Sequence, residues 1–483
     1  MTLEECRNKE LMHFVIAKIM VEDGFRDYND TGSKSLFTKS RHITLALRPI
    51  KEKILHRAPY RDILYQAAEN ACESGARATG LLHYDACREL LQPDPWDDSK
   101  PDVHYQETLT LLTRSADCYW YQGMYEKALG LLQITFANAK DAADEAPSYI
   151  LQSRINAVQG DSFAAFQALK TCLTGLGFDI PENTWEQCDK NFAELCQYIN
   201  SVDVNQMLDR PPSTDRLLTM AGPVILELSS AAFWSSSLLY YQLAIMMVDT
   251  SLRHGSVPQL SIGYIYLGSI AISRFGMTEM GLKIGNIGVQ LLEQFSDDPY
   301  TYGRGQTLHA CFLGHLQTDI QHQLTVLDRG MEASVQAGDR ILSLLNLGIG
   351  AAFRLWTSHD LADIENFITE GTTEAFGDWQ SDLRGGVFLT AVRQYARALQ
   401  GKTNYRSPKG ILSDQDSTHD SERYLQFIDG RASNPKRPRT IYLSYELVAL
   451  YRFGHIEAAL ELGEKLLNYM DSKLFRIRVL LSY

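Results

Sequence analysis

From Pro59 onward, apolar residues recur three and four positions apart, in runs too long for strands and of the right period for helices. The pattern predicts helices over 60–75, 79–91, 105–121, 124–139 and 148–158. Breaks fall at Gly75, Gly123, Gly160 and the run Gln92-Pro93-Asp94-Pro95-Trp96. No stretch alternates apolar and polar residues for long enough to make a half-buried strand. The expected fold class is all-α.

A second pattern lies on top of the first. Gly123-Met124-Tyr125-Glu126-Lys127-Ala128 follows Ala116 and Tyr119-Trp120, and leads into Leu131-Leu132. It has the layout of a tetratricopeptide-type helix–turn–helix: a turn glycine, an aromatic two positions on, and a small residue where the second helix crosses the first. Close helix crossings need small side chains at the contact. A turn glycine supplies the left-handed backbone angle that ends the first helix. The glycine-to-small interval recurs at Gly75/Gly80, Gly160/Ala165, Gly276/Gly281 and Gly454/Ala459. Leu267-Gly268, Leu313-Gly314 and Leu347-Gly348 read as small-residue steps inside first helices of further pairs. The intervals between repeats are irregular, so the expected architecture is an α-solenoid of degenerate repeats.

This divides the chain into residues 1–58, the partly helical tail of a preceding domain; 59–401, the repeat array; 402–440, a mobile insertion; and 441–483, a terminal helix pair. The insertion holds Ser413-Asp414-Gln415-Asp416-Ser417-Thr418-His419-Asp420 and then Asn434-Pro435-Lys436-Arg437-Pro438-Arg439. The last residues, 474–483, are apolar and carry no polar closing helix, so the array is expected to be truncated there.

Composition narrows the function classes. The 483 residues carry a net charge of −13, which argues against a nucleic-acid or anionic-membrane surface. The eight cysteines are scattered without a C-x-x-C, as free thiols of a reducing compartment would be, and Cys188 and Cys196 alone do not make a zinc site. The N-terminal segment is charged and is no signal peptide. Residues 228–248 are uncharged and long enough to span a bilayer. Their cluster Ser235-Ser236-Ser237, and the lack of a basic flank, instead predict a buried helix pair broken at the serines.

Catalytic signatures are missing. Gly32-Ser33-Lys34-Ser35 lacks the first glycine and the Gly-Lys step of a phosphate-binding loop. Gly303-Arg304-Gly305 follows no strand and reads as a helix-end feature. His309, His315 and His322 stand six and seven apart, a poor fit to one metal. Trp185, Trp234, Trp356 and Trp379 read as packing residues, and 435–439 as a solvated basic loop rather than a nuclear-import patch. No catalytic, cofactor-binding or metal-ligating residue is therefore expected, and no cofactor; the chain is expected not to be an enzyme.

Several segments, in order along the chain, carry a resemblance. They are Leu90-Leu91-Gln92-Pro93-Asp94-Pro95-Trp96, the stretch from Gly160 through Leu176-Gly177-Phe178-Asp179-Ile180-Pro181, Ala232-Phe233-Trp234, Gly338-Asp339 leading to Leu347-Gly348, and Arg393-Gln394 before Leu399-Gln400-Gly401. Across about residues 54–403 the chain resembles the helical-repeat region of fungal hybrid sensor histidine kinases. Those proteins join a serine/threonine-kinase-like domain, an AAA-type ATPase, the repeats, a GAF domain, a histidine kinase and a receiver. Neither the ATPase nor the kinase and receiver motifs occur here. The resemblance implies a cytoplasmic, non-catalytic scaffold and relay module of a phosphorelay kinase. Its partners would be a protein or the neighbouring ATPase, GAF and kinase domains, with no nucleic acid and no membrane span. A free-standing repeat adaptor or regulator, and an enzyme fragment with an unrecognised site, stay open as alternatives.

Overall fold

The computed structural model describes residues 3–22, 32–180, 182–372, 379–432 and 434–469. Among the described residues the regular structure is helical, apart from one isolated antiparallel bridge between Thr403 and Asp414. The fold is all-α, as the periodicity predicts. It separates into two compact units, Met1–Gln152 and Ser153–Tyr483. The division falls inside the span 59–401 that the sequence presents as a single array.

The first unit contains α1 (Leu3–Glu22), α2 (Gly32–Thr44), α3 (Leu47–Lys53), α4 (Ala58–Glu73), α5 (Arg77–Glu89), α6 (Tyr105–Tyr121), α7 (Tyr125–Asn138) and most of α8 (Ala142–Val158). Helices α4 and α5 form one antiparallel pair, α6 and α7 the next, and α5 packs on α6. The long α5–α6 connection is held by a buried arginine. Arg61 Nη1 donates to Asp102 Oδ2 at 2.8 Å, and its Nε and Nη2 donate to Glu107 at 2.6 and 2.9 Å. Asp102 also accepts from the Ala58 backbone N–H at the start of α4, at 2.9 Å. The Pro93-Asp94-Pro95-Trp96 run thus ends in a clamp on its own helix pair. Thr108 donates to the Pro95 carbonyl at 2.8 Å, and Trp96 lies against Tyr105.

The second unit contains α9 (Ser162–Gly175), α10 (Trp185–Ser201), α11 (Val204–Leu208), α12 (Arg216–Ser235), α13 (Ser237–His254), α14 (Leu260–Phe275), α15 (Thr278–Glu293), α16 (Pro299–Phe312), α17 (Ile320–Ala337), α18 (Arg340–Thr357), α19 (Ala362–Thr372), α20 (Gly385–Leu399), α21 (Ser421–Arg431), α22 (Lys436–Arg452) and α23 (Ile456–Tyr469). From α12 to α20 each helix packs on its successor or the next but one. The even-numbered helices α12 to α22 also touch one another in turn, forming a continuous row. This is the two-row stacking of a helical-repeat protein.

The glycine turns carry the repeat. Gly75, Gly123, Gly160, Gly276 and Gly454 have φ of 83°, 75°, 87°, 68° and 81°. After four of them the next backbone N–H reaches the carbonyl five positions earlier, as Met124 does to Tyr119 at 2.8 Å, closing a Schellman cap. Gly276 closes a wider loop, from Met277 to Ala271. The small residues five positions on, Gly80, Ala128, Ala165, Gly281 and Ala459, are all buried. A sixth turn has the same form at Gly338 (φ 71°), where Ser343 takes the small position. The α14–α15 crossing is among the close ones. A methyl group at Gly281 would stand 2.6 Å from the Gly268 carbonyl oxygen and 2.5 Å from Ile272 Cγ1.

The uncharged run 228–248 is broken where the serines predict. Ser236 has extended backbone and accepts from the Leu239 N–H, ending α12 and starting α13. One helix among the described residues, Arg216–Ser235, is long and apolar enough to cross a membrane, and 67% of its apolar window is buried inside the protein.

Several local expectations need correction. Leu313-Gly314 is not inside a helix of a pair; Gly314 opens the 3-10 turn Gly314–Leu316 between α16 and α17. Gly303-Arg304-Gly305 lies in the middle of α16, not at a helix end. The segment 402–440 is packed. Ile411 and Leu412 are fully buried, Gln394 donates to the Leu412 carbonyl at 2.9 Å, and Arg397 Nε donates to Asp414 at 2.8 Å. Lys436 begins α22, so 435–439 is a helix start and not a loop. Residues 23–31 and 470–483, with the polar start of 27–34 and the apolar run 474–483, lie outside the described residues.

Candidate functional site

The second unit places its least expected residues in one spot. Glu227 of α12 accepts from Arg154 Nε at 3.2 Å and Nη2 at 3.1 Å, and its Oε1 stands 3.0 Å from Arg304 Nη2 on α16. Arg304 Nε donates to Asp339 Oδ2 at 2.7 Å, and Asp339 Oδ1 caps α18 through the Leu342 N–H at 3.2 Å. The Tyr300 ring lies beside both guanidinium groups, 4.3 Å from that of Arg154 and 4.5 Å from that of Arg304. Arg304 is only 1% exposed. A charge so deep persists only with partners, and removal of one partner leaves the other stranded.

The same interior receives Arg384, at the start of α20. Its Nη1 is 3.5 Å from Ser230 Oγ, and its guanidinium is 5.6 Å from the Trp234 ring; both residues belong to α12. Burial lowers the Arg384 guanidinium to about 10, with Asp382 and Glu227 opposing. Further along, Arg437 of α22 donates to Ser237 Oγ at 3.1 Å and sits 4.3 Å over the Phe233 ring. Asn434 donates to the Ser235 carbonyl at 3.4 Å. Helix α22 therefore fastens to the α12–α13 turn, and the even-numbered row turns back on itself. Aromatic rings lie among these arginines: Phe312, Phe233, Tyr240 and Tyr266 follow one another at centroid distances of 6.1, 5.3 and 5.0 Å. The arrangement supplies tight ionic and cation–π fastening. It pairs no nucleophile with a base.

The residues weighed from sequence do not converge. His309 lies in α16, His315 in the 3-10 turn with its Nδ1 3.3 Å from the Ala310 carbonyl, and His322 is exposed in the first turn of α17. Burial lowers His309 to about 4, with His315 adding to it. Among the described residues no three His, Cys, Asp or Glu side chains are grouped to hold a metal ion. Cys188 and Cys196 are buried on α10, where desolvation raises each thiol to about 11. Trp185 stacks on Arg274, whose guanidinium makes a two-pronged pair with Asp189 at 2.8 and 2.7 Å; Trp234 is buried, Trp379 lies against the core of α18 and α20, and Trp356 is exposed. Gly32 to Ser35 open α2. A cavity of about 530 Å³ between α10 and α13 has several of its polar groups paired, Gln242 with the Asn183 carbonyl and Arg253 with Asp249.

Sequence reading missed the ionic interior. Its one signal was a charged residue between two glycines, and the acids that pair with Arg304 are 77 and 35 positions away in the chain.

No known family profile matches the chain. The chain is similar to the peroxide stress-activated histidine kinase mak2 of Schizosaccharomyces pombe, at 21% identity over 481 residues. That alignment takes in 97% of this chain and 20% of the kinase, so the chain spans about a fifth of the length of its curated relative. The relationship is to a histidine-kinase-related helical region and is distant.

Proposed function

We propose that this chain is a non-catalytic scaffold and relay module of a cytoplasmic phosphorelay kinase. The observation that carries the proposal is the similarity to a histidine kinase along 97% of the chain, in a body built of stacked helix pairs. The chemistry of the interior supports it. Buried ion pairs and aromatic rings fix the relative positions of α12, α16, α20 and α22, as a part that transmits movement between neighbours requires. A protein partner or an adjoining ATPase, GAF or kinase domain would be met by the exposed helix faces. Nucleic acid and membrane are not among the proposed partners.

The test compares nucleotide binding, ATP hydrolysis and autophosphorylation in the purified chain with the same activities in a longer chain that includes flanking ATPase and kinase domains. The expected result is an inert short chain and an active long one, with activity of the latter altered by changes at Arg304 or Glu227. Hydrolysis or phosphorylation by the short chain itself would overturn the proposal.

A further inference from the structure

In the first unit, two cysteines that are far apart in sequence meet inside the helix stack. Cys72, on the last turn of α4, has its Sγ 3.4 Å from Sγ of Cys118 on α6. This is contact distance between two thiols and is matched nowhere else among the described cysteines. Cys87 instead turns its thiol to the Arg61 carbonyl at 3.4 Å. The two sulfurs differ in access, Cys72 being 9% exposed and Cys118 2%. Their surroundings differ too. The hydrogen bond from Cys118 holds the Cys72 thiol below its ordinary value, against the penalty of burial, and Arg77 acts in the same direction. The same bond, with burial, pushes the Cys118 thiol up. Elsewhere desolvation raises Cys87 and Cys311 to about 12.

We infer that Cys72 and Cys118 form a peroxide-oxidisable dithiol, with Cys72 the sulfur that is attacked first and Cys118 the one that resolves it. The oxidant is a small hydroperoxide. Enclosure of both sulfurs, Cys72 9% and Cys118 2% exposed, favours a small oxidant over a bulky disulfide such as an oxidised peptide thiol. The Cys72 thiolate attacks one peroxide oxygen. An S–O bond forms, the O–O bond breaks, and the departing oxygen takes a proton and leaves as water or alcohol. Cys118 sulfur then attacks the Cys72 sulfenic acid. The S–S bond forms, the S–O bond breaks, and hydroxide leaves as water with the proton from Cys118. Two thiols are oxidised by two electrons and one peroxide is reduced. The bond would join consecutive helix pairs, α4–α5 to α6–α7. A methyl group at Gly80 on α5 would stand 2.5 Å from Cys72 Sγ, so any shift of that sulfur is felt by the neighbouring helix.

The experiment is peptide mapping by mass spectrometry of the full chain, folded and urea-unfolded, after titration with hydrogen peroxide and blocking of remaining thiols. The expected result is one cross-linked pair, Cys72 to Cys118, formed faster in the folded chain and accompanied by the loss of two hydrogens from the intact mass. Cys118→Ser should stop the reaction at a sulfenic acid on Cys72 that a cyclic dione captures, and Cys87→Ser should leave the cross-link intact. The unaltered chain decides the matter even if a variant fails to fold. Oxidation of other cysteines while Cys72 and Cys118 stay blocked as thiols would overturn the inference. So would a cross-link that forms equally well in urea.

Discussion

Arg304 shows how much one side chain can hold in this protein. It is almost fully buried and lies between Glu227 and Asp339, so Arg304→Ala strands Asp339, while Glu227 keeps only Arg154. Stranding a buried charge costs about 3–5 kcal/mol. Urea denaturation of Arg304→Ala should show a loss of that size, and a loss below about 1 kcal/mol would mean the acids find other partners. His309 acts in the opposite sense. Its folded pKa is lowered by burial to about 4, beneath the 6.5 of the open chain, so the unfolded state binds the extra proton. Stability from this group is therefore full at pH 7 and is lost as pH falls from 6.5 towards 4, by about 2 kcal/mol between pH 7 and 5. His309→Gln should reduce the difference between denaturation midpoints at those two pH values. An unchanged difference would assign the acid sensitivity elsewhere. Neither role was legible in the sequence. Flanking glycines signal a helix end, yet Gly303 and Gly305 are small because Ser334 and Leu292 press on them, and only the tertiary fold brings those residues near.

At the scale of helices the sequence is far more transparent. The interval from turn glycine to small residue predicts five turns, each of which has its glycine in the left-handed region and its small residue buried. The signal survives divergence because it is set by backbone: one residue must take a positive φ, and another must let two helix axes approach. The sixth turn escaped because Ser343, unlike alanine or glycine, does not read as a small packing residue. Leu313-Gly314 misled for the converse reason, since a glycine after leucine is as much at home in a 3-10 turn. Substitution tests the register directly. Ala128→Leu should overpack the α6–α7 crossing and destabilise by about 1–3 kcal/mol. Gly281→Ala should cost as much through the Gly268 carbonyl, and thermal or urea unfolding measures both. Unchanged stability in the two variants would mean the helices have room to separate.

The assembly of the second unit is where prediction from pattern fails most. Periodicity says which helices pair, but it does not say how far the row turns, because that depends on small rotations summed over many crossings. Here the sum brings Asn434 and Arg437 back to Ser235 and Ser237, about 200 residues earlier in the chain. The packed segment 402–420 was obscured by composition: its polar run looks solvated, but Asp414 is consumed by Arg397, Gln394 and Thr418. Arg437→Glu should loosen both ends of the fastening. Hydrogen exchange should quicken in the α12–α13 turn as well as in the first turn of α22. Faster exchange in α22 alone would show that the contact holds nothing together.

An open helical solenoid tolerates gain or loss of whole repeats, since each touches only its neighbours. The fastening of α22 to α12 removes that freedom from this unit. One added helix pair would carry Arg437 roughly 8–10 Å, a helix-packing distance, away from Phe233 and Ser237. Copy number is therefore a fixed dimension of the second unit, and its descendants should vary in loop length and surface sequence before they vary in the number of helices between α12 and α22.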